Sequence, residues 1–245
     1  MARPPTGARG PLTLVALAVL AACSAGPPGV ETPLRPSATA AAKAVPGAMA
    51  SGQPADPSRA EGTGGTEQQR APVALALVID RSGSMTGHKM EAAKRACRDA
   101  VDELASSDWI TVVAFDSSAA NPVPLQQAQG LVAIRDGIDQ IEPAGGTHIL
   151  PALQMAYQQL KAATVSRKQV VLLSDGRAPL QGVADIARAM GADGITISTV
   201  GIGDYDAELL ETIAREGGGR FHGVTQVDAL PTVFRTEVAA FIASP

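Results

Sequence analysis

VALALVIDRSGS, at residues 73–84, joins an uninterrupted apolar run to a short polar loop. An apolar run without polar alternation is typical of a strand that is covered on both faces. Such strands occur in parallel sheets, where helices pack on either side. The stretch therefore predicts a buried strand at residues 73–79, with a polar loop at its carboxyl end.

Similar apolar runs recur along the chain, and helical periods separate them. Apolar side chains at spacings of three and four mark the first helix, at Met90, Ala93, Cys97, Val101 and Leu104. This alternation predicts an α/β fold with a doubly wound, mostly parallel sheet and helices on both faces. Further strands are predicted at residues 110–115, 170–173 and 195–200, and further helical stripes at 131–141, 150–160, 183–190 and 230–241.

The polar loop after the first strand carries candidate metal ligands. Asp80, Ser82 and Ser84 lie two residues apart, so an extended loop can direct their three oxygens to one side. One carboxylate and two hydroxyls, without nitrogen or sulfur, suit a hard cation such as Mg²⁺. A turn that caps the following helix uses the same residue types, and that alternative stays open at this point.

Two other loops carry matching oxygen groups. One predicted strand runs into SDG at 174–176, whose Asp175 offers a second carboxylate, and GGT at 145–147 offers the Thr147 hydroxyl before a predicted helix. Ligands of parallel sheets bind at the carboxyl ends of the strands, so both side chains are candidates for the same site as Asp80. The structural alternatives are a turn residue for Asp175 and a helix N-cap for Thr147.

These three loops resemble the metal-ion-dependent adhesion site of the von Willebrand factor type A (vWA) domain family. That pattern is Asp-x-Ser-x-Ser, followed by a distant Thr and a distant Asp. The resemblance covers residues 73–243 and includes the stretches LALVIDRSGSM, ITVVAFDSS, GGTHILPAL, VVLLSDGR and ISTVGIGD. His148 departs from it, because bacterial members often carry an acidic residue after the threonine. The match implies five metal ligands: Asp80, Ser82, Ser84, Thr147 and Asp175.

The resemblance also implies a fold and a binding function. The fold is expected to be a six-stranded, Rossmann-like sheet with one antiparallel edge strand, for which residues 123–125 are the candidate because they adjoin and include proline. In the family, the hydroxyls bind the cation directly, the Asp residues bind it directly or through water, and one position stays open. The implied cofactor is Mg²⁺, with Mn²⁺ or Ca²⁺ as alternatives. The implied partner is a protein that offers an Asp or Glu carboxylate to the metal.

Four neighbours of these loops have candidate supporting roles. Arg81 and Arg177 flank the ligand loops and are candidates for attracting an acidic partner, with ordinary solvated charge as the alternative. Asp116, at another strand end, is a candidate for holding a metal-bound water. Asp206 follows the ISTVGIG stretch and is interpreted as the N-cap of the next helix.

The first 70 residues predict an export signal and a tether. Residues 1–23 have a positive start, a short apolar segment and the ending Leu-Ala-Ala-Cys, which resembles a bacterial lipobox with Cys23 as the acylated residue. Ordinary cleavage after Ala25 is the alternative. Residues 24–70 are rich in Pro, Gly and Ala and predict a disordered linker before a domain at 71–245. We therefore expect an extracytoplasmic domain in the cell envelope, lipid-anchored to the outer or the cytoplasmic membrane.

Composition argues against several other classes of protein. A net charge of −4 disfavours a nucleic-acid binder, and the chain has no Gly-x-x-x-x-Gly-Lys-Ser/Thr loop for a nucleotide. Two cysteines, Cys23 and Cys97, are too few for a disulfide framework. After acylation Cys97 would be the only thiol, and its helical pattern makes it a small core residue.

Two other functions are alternatives to metal-dependent binding. An envelope hydrolase would use Ser82 or Ser84 as nucleophile, His88 or His148 as base, and Asp175 to orient the base. The chain has no Gly-x-Ser-x-Gly elbow, so we expect no enzyme. A structural domain with a non-functional metal site is the second alternative, which a metal-dependent shift in melting temperature would distinguish.

Overall fold

The computed structural model describes residues 70–244, and a six-stranded sheet lies at the centre of this part. The predicted signal peptide with Cys23, and the linker as far as residue 69, lie outside the described residues. The strands are β1 (Val73–Asp80), β2 (Trp109–Phe115), β3 (Ala119–Gln127), β4 (Arg167–Ser174), β5 (Ile195–Ile202) and β6 (Gly218–Val224). Their order in space is β3-β2-β1-β4-β5-β6, and all neighbours are parallel except β2 and β3. The predicted six-stranded, mostly parallel sheet is confirmed.

Helices cover both faces of this sheet. The helices in residues 70–244 are α1 (His88–Val101), α2 (Leu131–Asp139), α3 (Ile149–Ala162), α4 (Val183–Ala192), α5 (Ala207–Glu216) and α6 (Leu230–Ala243). One core lies between the sheet and α1, α2 and α6, and a second lies between the sheet and α3, α4 and α5. The doubly wound α/β prediction is therefore confirmed. In the same part of the chain, no helix combines the length and the hydropathy needed to cross a membrane.

The central strand β1 explains why its sequence is apolar without interruption. All eight of its residues are buried, and successive side chains enter opposite cores. Leu75, Leu77 and Ile79 belong to the core under α1, α2 and α6, whereas Ala74 and Val78 belong to the other. Both faces of the strand therefore require apolar side chains.

The antiparallel edge strand is β3, and it includes residues 123–125, as the position of the prolines predicts. The strand runs over nine residues, and its pairing with β2 shifts register at two places. Pro122 and Pro124 lack a backbone N–H, which an edge strand tolerates because one side of it has no partner strand.

Two helices end before the apolar stripes that predict them, and one strand is not predicted by the pattern. The stripe at residues 131–141 continues to Ile141, but α2 ends at Asp139. The apolar stripe of the first helix continues to Leu104, but α1 ends at Val101, and Leu104 is buried from the loop that follows. The pattern does not identify β6, because most of its residues are at least partly exposed and two glycines begin it. An added Cβ on Gly219 would lie 2.2 Å from the Ile197 carbonyl oxygen, so this edge pairs closely only with glycine.

A buried aspartate fixes the start of the domain. Asp108 is fully buried and accepts hydrogen bonds from the backbone N–H of Val73 at 3.0 Å and of Ala105 at 2.8 Å. Arg70 forms an ion pair with the same carboxylate. Arg70, the last residue of the predicted linker, therefore contacts the folded domain.

Candidate metal centre

The candidate ligand loops lie at the carboxyl ends of two neighbouring strands. β1 and β4 are adjacent and parallel, and the chain builds the sheet outward from them in opposite directions, to β2 and β3 on one side and to β5 and β6 on the other. Loops at such a switch point diverge to opposite faces of the sheet and leave a crevice, which is where open α/β sheets bind ligands.

Asp80 is held rigidly at the end of β1. Its side chain is fully buried; Oδ1 accepts the Ser82 backbone N–H at 2.8 Å, and Oδ2 accepts the Ser174 hydroxyl at 2.5 Å. Burial raises the pKa of Asp80 above its usual range, and the nearby charge of Asp175 adds to this, although the hydrogen bonds from the two serines oppose it. A cation beside Asp80 would relieve the unfavourable burial of its charge.

The two serines of the loop after β1 contact the aspartate of the loop after β4 through a chain of hydrogen bonds. The hydroxyl oxygens of Ser82 and Ser84 lie 3.0 Å apart, and the Ser84 hydroxyl donates to Asp175 Oδ1 at 2.7 Å. Asp175 is almost fully buried, whereas Ser84 is exposed. Four of the five predicted ligands, Asp80 included, therefore form one connected group that opens to solvent at Ser84.

The third loop brings Thr147 to the same group. An added Cβ on Gly176 would lie 3.0 Å from the Thr147 hydroxyl oxygen, so this threonine packs on the backbone directly after Asp175. Backbone hydrogen bonds tie its loop to the first one: Ala144 donates to Arg81 at 2.7 Å, and Gly83 donates to Gly145 at 3.1 Å. The structure thus brings all five predicted side chains to one end of the sheet.

The capping alternatives are wrong for these hydroxyls. The N-cap of α1 is Gly87, and Ser82 precedes only a 3₁₀ turn, to which its side chain makes no capping hydrogen bond. The N-cap of α3 is His148 rather than Thr147. The hydroxyls of Ser82, Ser84 and Thr147 are therefore not needed to complete a helix.

Lys89 is a neighbour of the site that the sequence pattern does not single out. It is the second residue of α1, and its Nζ forms an ion pair with Asp175 Oδ2. The signal that could have indicated it is its position at the start of the helix that follows the first ligand loop. This ion pair places one positive charge directly against the candidate ligands.

The other predicted neighbours have mainly structural contacts. Arg81 pairs with Asp116 at 2.6 Å, and Asp116 also accepts the backbone N–H of Ser118 at 2.7 Å. Burial alone would raise the pKa of Asp116, but these hydrogen bonds and the charge of Arg81 hold it below its usual range. Asp206 is the N-cap of α5 and accepts the Leu209 N–H at 3.1 Å, as predicted. Arg177 is exposed.

The catalytic arrangement of the hydrolase alternative is not assembled. His88 lies 3.1 Å from Asp228, and within residues 70–244 no histidine hydrogen-bonds to Ser82 or Ser84. Asp175 contacts Ser84 and Lys89 instead of orienting a histidine.

The donor set fits a hard divalent cation. It consists of two carboxylates and three hydroxyls, all oxygen donors, and Mg²⁺, Mn²⁺ and Ca²⁺ prefer such donors. Residues 70–244 contain no cluster of three or more His, Cys, Asp or Glu side chains suited to a metal.

Cys97 lies in the core, as predicted. It is a completely buried residue of α1, and burial raises the pKa of its thiol to about 12. It is therefore inert as a nucleophile or ligand near neutral pH.

The fold and the loops at its switch point define a Rossmann-like α/β domain of the vWA type. The family model for the von Willebrand factor type A domain matches residues 74–236. The chain therefore belongs to the von Willebrand factor type A domain family.

Relatives and solved structures agree with this assignment. The uncharacterised protein sll0103 of Synechocystis sp. is 32% identical over 157 residues, which are 62% of this chain and 37% of that protein. A von Willebrand factor type A protein from Catenulispora acidiphila has a TM-score of 0.64 and 28% identity, over 71% of this chain and 44% of that one. Proximal thread matrix protein 1 from the mussel byssus has a zinc-occupied metal-ion-dependent adhesion site (MIDAS) motif. It has a TM-score of 0.63 and 22% identity, over 70% of this chain and 46% of that one.

These relatives are longer proteins. The chain spans between 17% and 37% of the length of the first curated relatives that it matches.

Proposed function

We propose that this protein is a membrane-anchored, extracytoplasmic binding domain that uses a divalent cation to capture an acidic residue of a protein partner. Asp80, Ser82, Ser84, Thr147 and Asp175 would hold the cation, with Mg²⁺ expected and Mn²⁺ or Ca²⁺ as alternatives. The cation would supply positive charge and one coordination position for a carboxylate of the partner.

One observation carries the proposal. Ser82 and Ser84 come from one loop and Asp175 from another. The hydroxyl oxygens of the two serines lie 3.0 Å apart, and the Ser84 hydroxyl lies 2.7 Å from Asp175 Oδ1. The buried Asp80 is fixed beside them by Ser82 and Ser174. A purely structural polar cluster does not require two buried carboxylates next to hydroxyls that open to solvent.

The chemistry of the donors favours binding a partner over catalysis. Two carboxylates balance the charge of a divalent cation, and neutral hydroxyls leave that cation more electrophilic than further carboxylates would. An acidic side chain of another protein is then a suitable additional ligand. Family membership supports an interaction module as well, and the separation of the histidines from both serines argues against a hydrolase.

A test compares partner capture with and without metal. We expect immobilised protein to retain a partner from envelope extract in Mg²⁺ and to release it in chelator, with Mg²⁺ binding to the purified protein measured by calorimetry. Mg²⁺ should also raise the melting temperature, because a ligand that binds only the folded state stabilises it. No calorimetric signal and no thermal shift with Mg²⁺, Mn²⁺ or Ca²⁺ would instead support the structural alternative.

The membrane anchor is tested at Cys23. Replacing Cys23 with serine removes the thiol that acylation requires, so we expect the variant to lose lipid labelling and to leave the membrane fraction. A Ser24→Ala variant, which alters the adjacent residue and keeps the thiol, should still be labelled. A wild type without palmitate labelling would contradict the anchor and favour ordinary cleavage after Ala25. Labelling that persists in Cys23→Ser would contradict acylation at Cys23.

A further inference from the structure

Lys89 stands directly against the candidate metal ligands. It lies in the first turn of α1, its side chain is 28% exposed, and its Nζ contacts Oδ2 of Asp175, whose own side chain is fully buried. On its other side is the loop after β5, where an added Cβ on Gly203 would lie 3.3 Å from Nζ. The ammonium group is therefore confined between this loop and Asp175.

The two oxygens of Asp175 have different neighbours. Oδ1 accepts the Ser84 hydroxyl at 2.7 Å, on the side of the proposed ligands, while Oδ2 holds Lys89. The lysine does not take the place of a hydroxyl ligand, because it uses the other oxygen. Its charge and the metal can therefore be present together.

Charge balance then assigns a role to Lys89. Asp80, Asp175 and Lys89 together carry −1, and the neighbouring Arg81–Asp116 pair adds nothing. A divalent cation brings this group to +1, whereas without the lysine it would bring the group to zero. One further negative charge, such as a single carboxylate, neutralises the group only when Lys89 is present.

We propose that Lys89 is a specificity-determining residue that makes the metal-loaded site net cationic and thereby favours a monoanionic carboxylate partner, at the expense of metal affinity. This inference rests on the proposed function. It predicts that loss of the lysine changes the affinities for the two ligands in opposite directions. The metal binds more tightly, because a competing positive charge is gone, and the carboxylate binds more weakly.

The test uses Mn²⁺ and acetate as probes on the purified protein. Free Mn²⁺ is followed by electron paramagnetic resonance, and acetate binding at saturating Mn²⁺ by paramagnetic broadening of its methyl resonance. For Lys89→Met we expect about tenfold tighter Mn²⁺ and about three- to tenfold weaker acetate, the order expected for one unit charge removed beside a partly exposed ion. Because Mn²⁺ is saturating, a change in Mn²⁺ affinity does not alter the measured acetate affinity.

Two variants serve as controls. Lys89→Arg keeps the charge and should behave like the wild type toward both probes. Arg95→Met removes a positive charge from the same helix, but Arg95 faces Asp228 rather than the metal ligands, so neither affinity should change. In chelator, Lys89→Met should melt at a lower temperature than the wild type and gain more from added Mn²⁺, because Asp175 has lost its only cationic neighbour among the contacts of residues 70–244.

The outcomes separate this inference from the proposed function. Unchanged or weaker Mn²⁺ binding in Lys89→Met, or unchanged acetate binding at saturating Mn²⁺, overturns the role of Lys89 while a metal-binding wild type leaves the proposed function standing. A wild type that binds no Mn²⁺ overturns both. If Lys89→Met and Lys89→Arg both bound Mn²⁺ and acetate more weakly than the wild type, Lys89 would have only a structural role, and the inference would be overturned.

Discussion

Replacing Asp80 with alanine is expected to lower the affinity for Mg²⁺ by at least about a hundredfold, since even the hydrogen-bond partners of metal ligands contribute ten- to a hundredfold. Asp80 supplies one of the two carboxylates of the site, and no neighbouring side chain can replace it. Metal-dependent retention of the partner should be lost with the metal. Calorimetry with Mg²⁺ and capture from envelope extract measure the two effects.

The fold should survive this substitution. The Asp80 carboxylate is buried and its pKa is raised, so its removal relieves an unfavourable burial while leaving only the Ser82 N–H and the Ser174 hydroxyl to find new partners. Asp193→Ala is a matched control, because Asp193 is an exposed carboxylate just before the amino end of β5, away from the ligand loops. Mg²⁺ binding that is unchanged in Asp80→Ala would refute the site assignment, and unfolding of the variant would assign Asp80 to the core instead.

Replacing Glu237 with alanine is expected to produce the largest loss of stability. Glu237 is buried on α6, where it accepts hydrogen bonds from Ser198 at 2.6 Å and Gln169 at 2.9 Å and contacts Arg220 and His222. Each buried donor left without an acceptor is worth about 1–3 kcal/mol, so the loss is about 3 kcal/mol. That corresponds to a melting temperature lower by about 6–12 °C for a domain of this size.

Controls for Glu237 distinguish charge from hydrogen bonding. Glu237→Gln keeps an acceptor for Ser198 and should lose less stability than Glu237→Ala. Glu211→Ala changes an exposed glutamate on α5 and should have little effect. Equal melting temperatures for Glu237→Ala and the wild type would show that the network on α6 contributes nothing.

The contribution of Glu237 should also depend on pH. Burial raises its pKa, but hydrogen bonds from Ser198 and His222 and the charge of Arg220 outweigh burial and hold the pKa below its usual range. A carboxyl group whose pKa is lower in the folded state stabilises the fold above its unfolded pKa. The difference in stability between wild type and Glu237→Ala should therefore be full near neutral pH and decrease as the pH falls through the folded-state value.

The candidate site could be predicted from the sequence because its ligands follow strands that are recognisable locally. An apolar run ending in Asp80-Arg81-Ser82-Gly83-Ser84 places three oxygens at one strand end, whatever the rest of the chain does. Thr147 and Asp175 were candidates from their loops alone, but the resemblance to a known family was needed to prefer them as ligands, since hydroxyl and carboxylate residues in isolated loops are equally typical of turns and caps. The structure excludes the capping roles by assigning the N-caps to Gly87 and His148.

The strands and helices were predictable for a related reason. The spacing of apolar residues shows which faces of a segment are buried. This pattern was enough to predict β1, β2, β4 and β5 and the helices. It does not predict β6, because most of its side chains remain at least partly exposed and close backbone pairing with β5 depends on Gly219. Its place at the sheet edge depends on packing against a strand that lies about twenty residues earlier in the chain.

By itself, the sequence determined the α/β fold, its buried central strand, and the oxygen-rich loops at the strand ends, because each of these is encoded by residues close together in the chain. Only the tertiary structure decided which polar and charged side chains meet. Lys89 and Asp175 are 86 residues apart and Gln169 and Glu237 are 68 apart, and neither pair leaves a local pattern. Electrostatic pairing depends on distance in space, which the fold sets and which sequence spacing does not reveal.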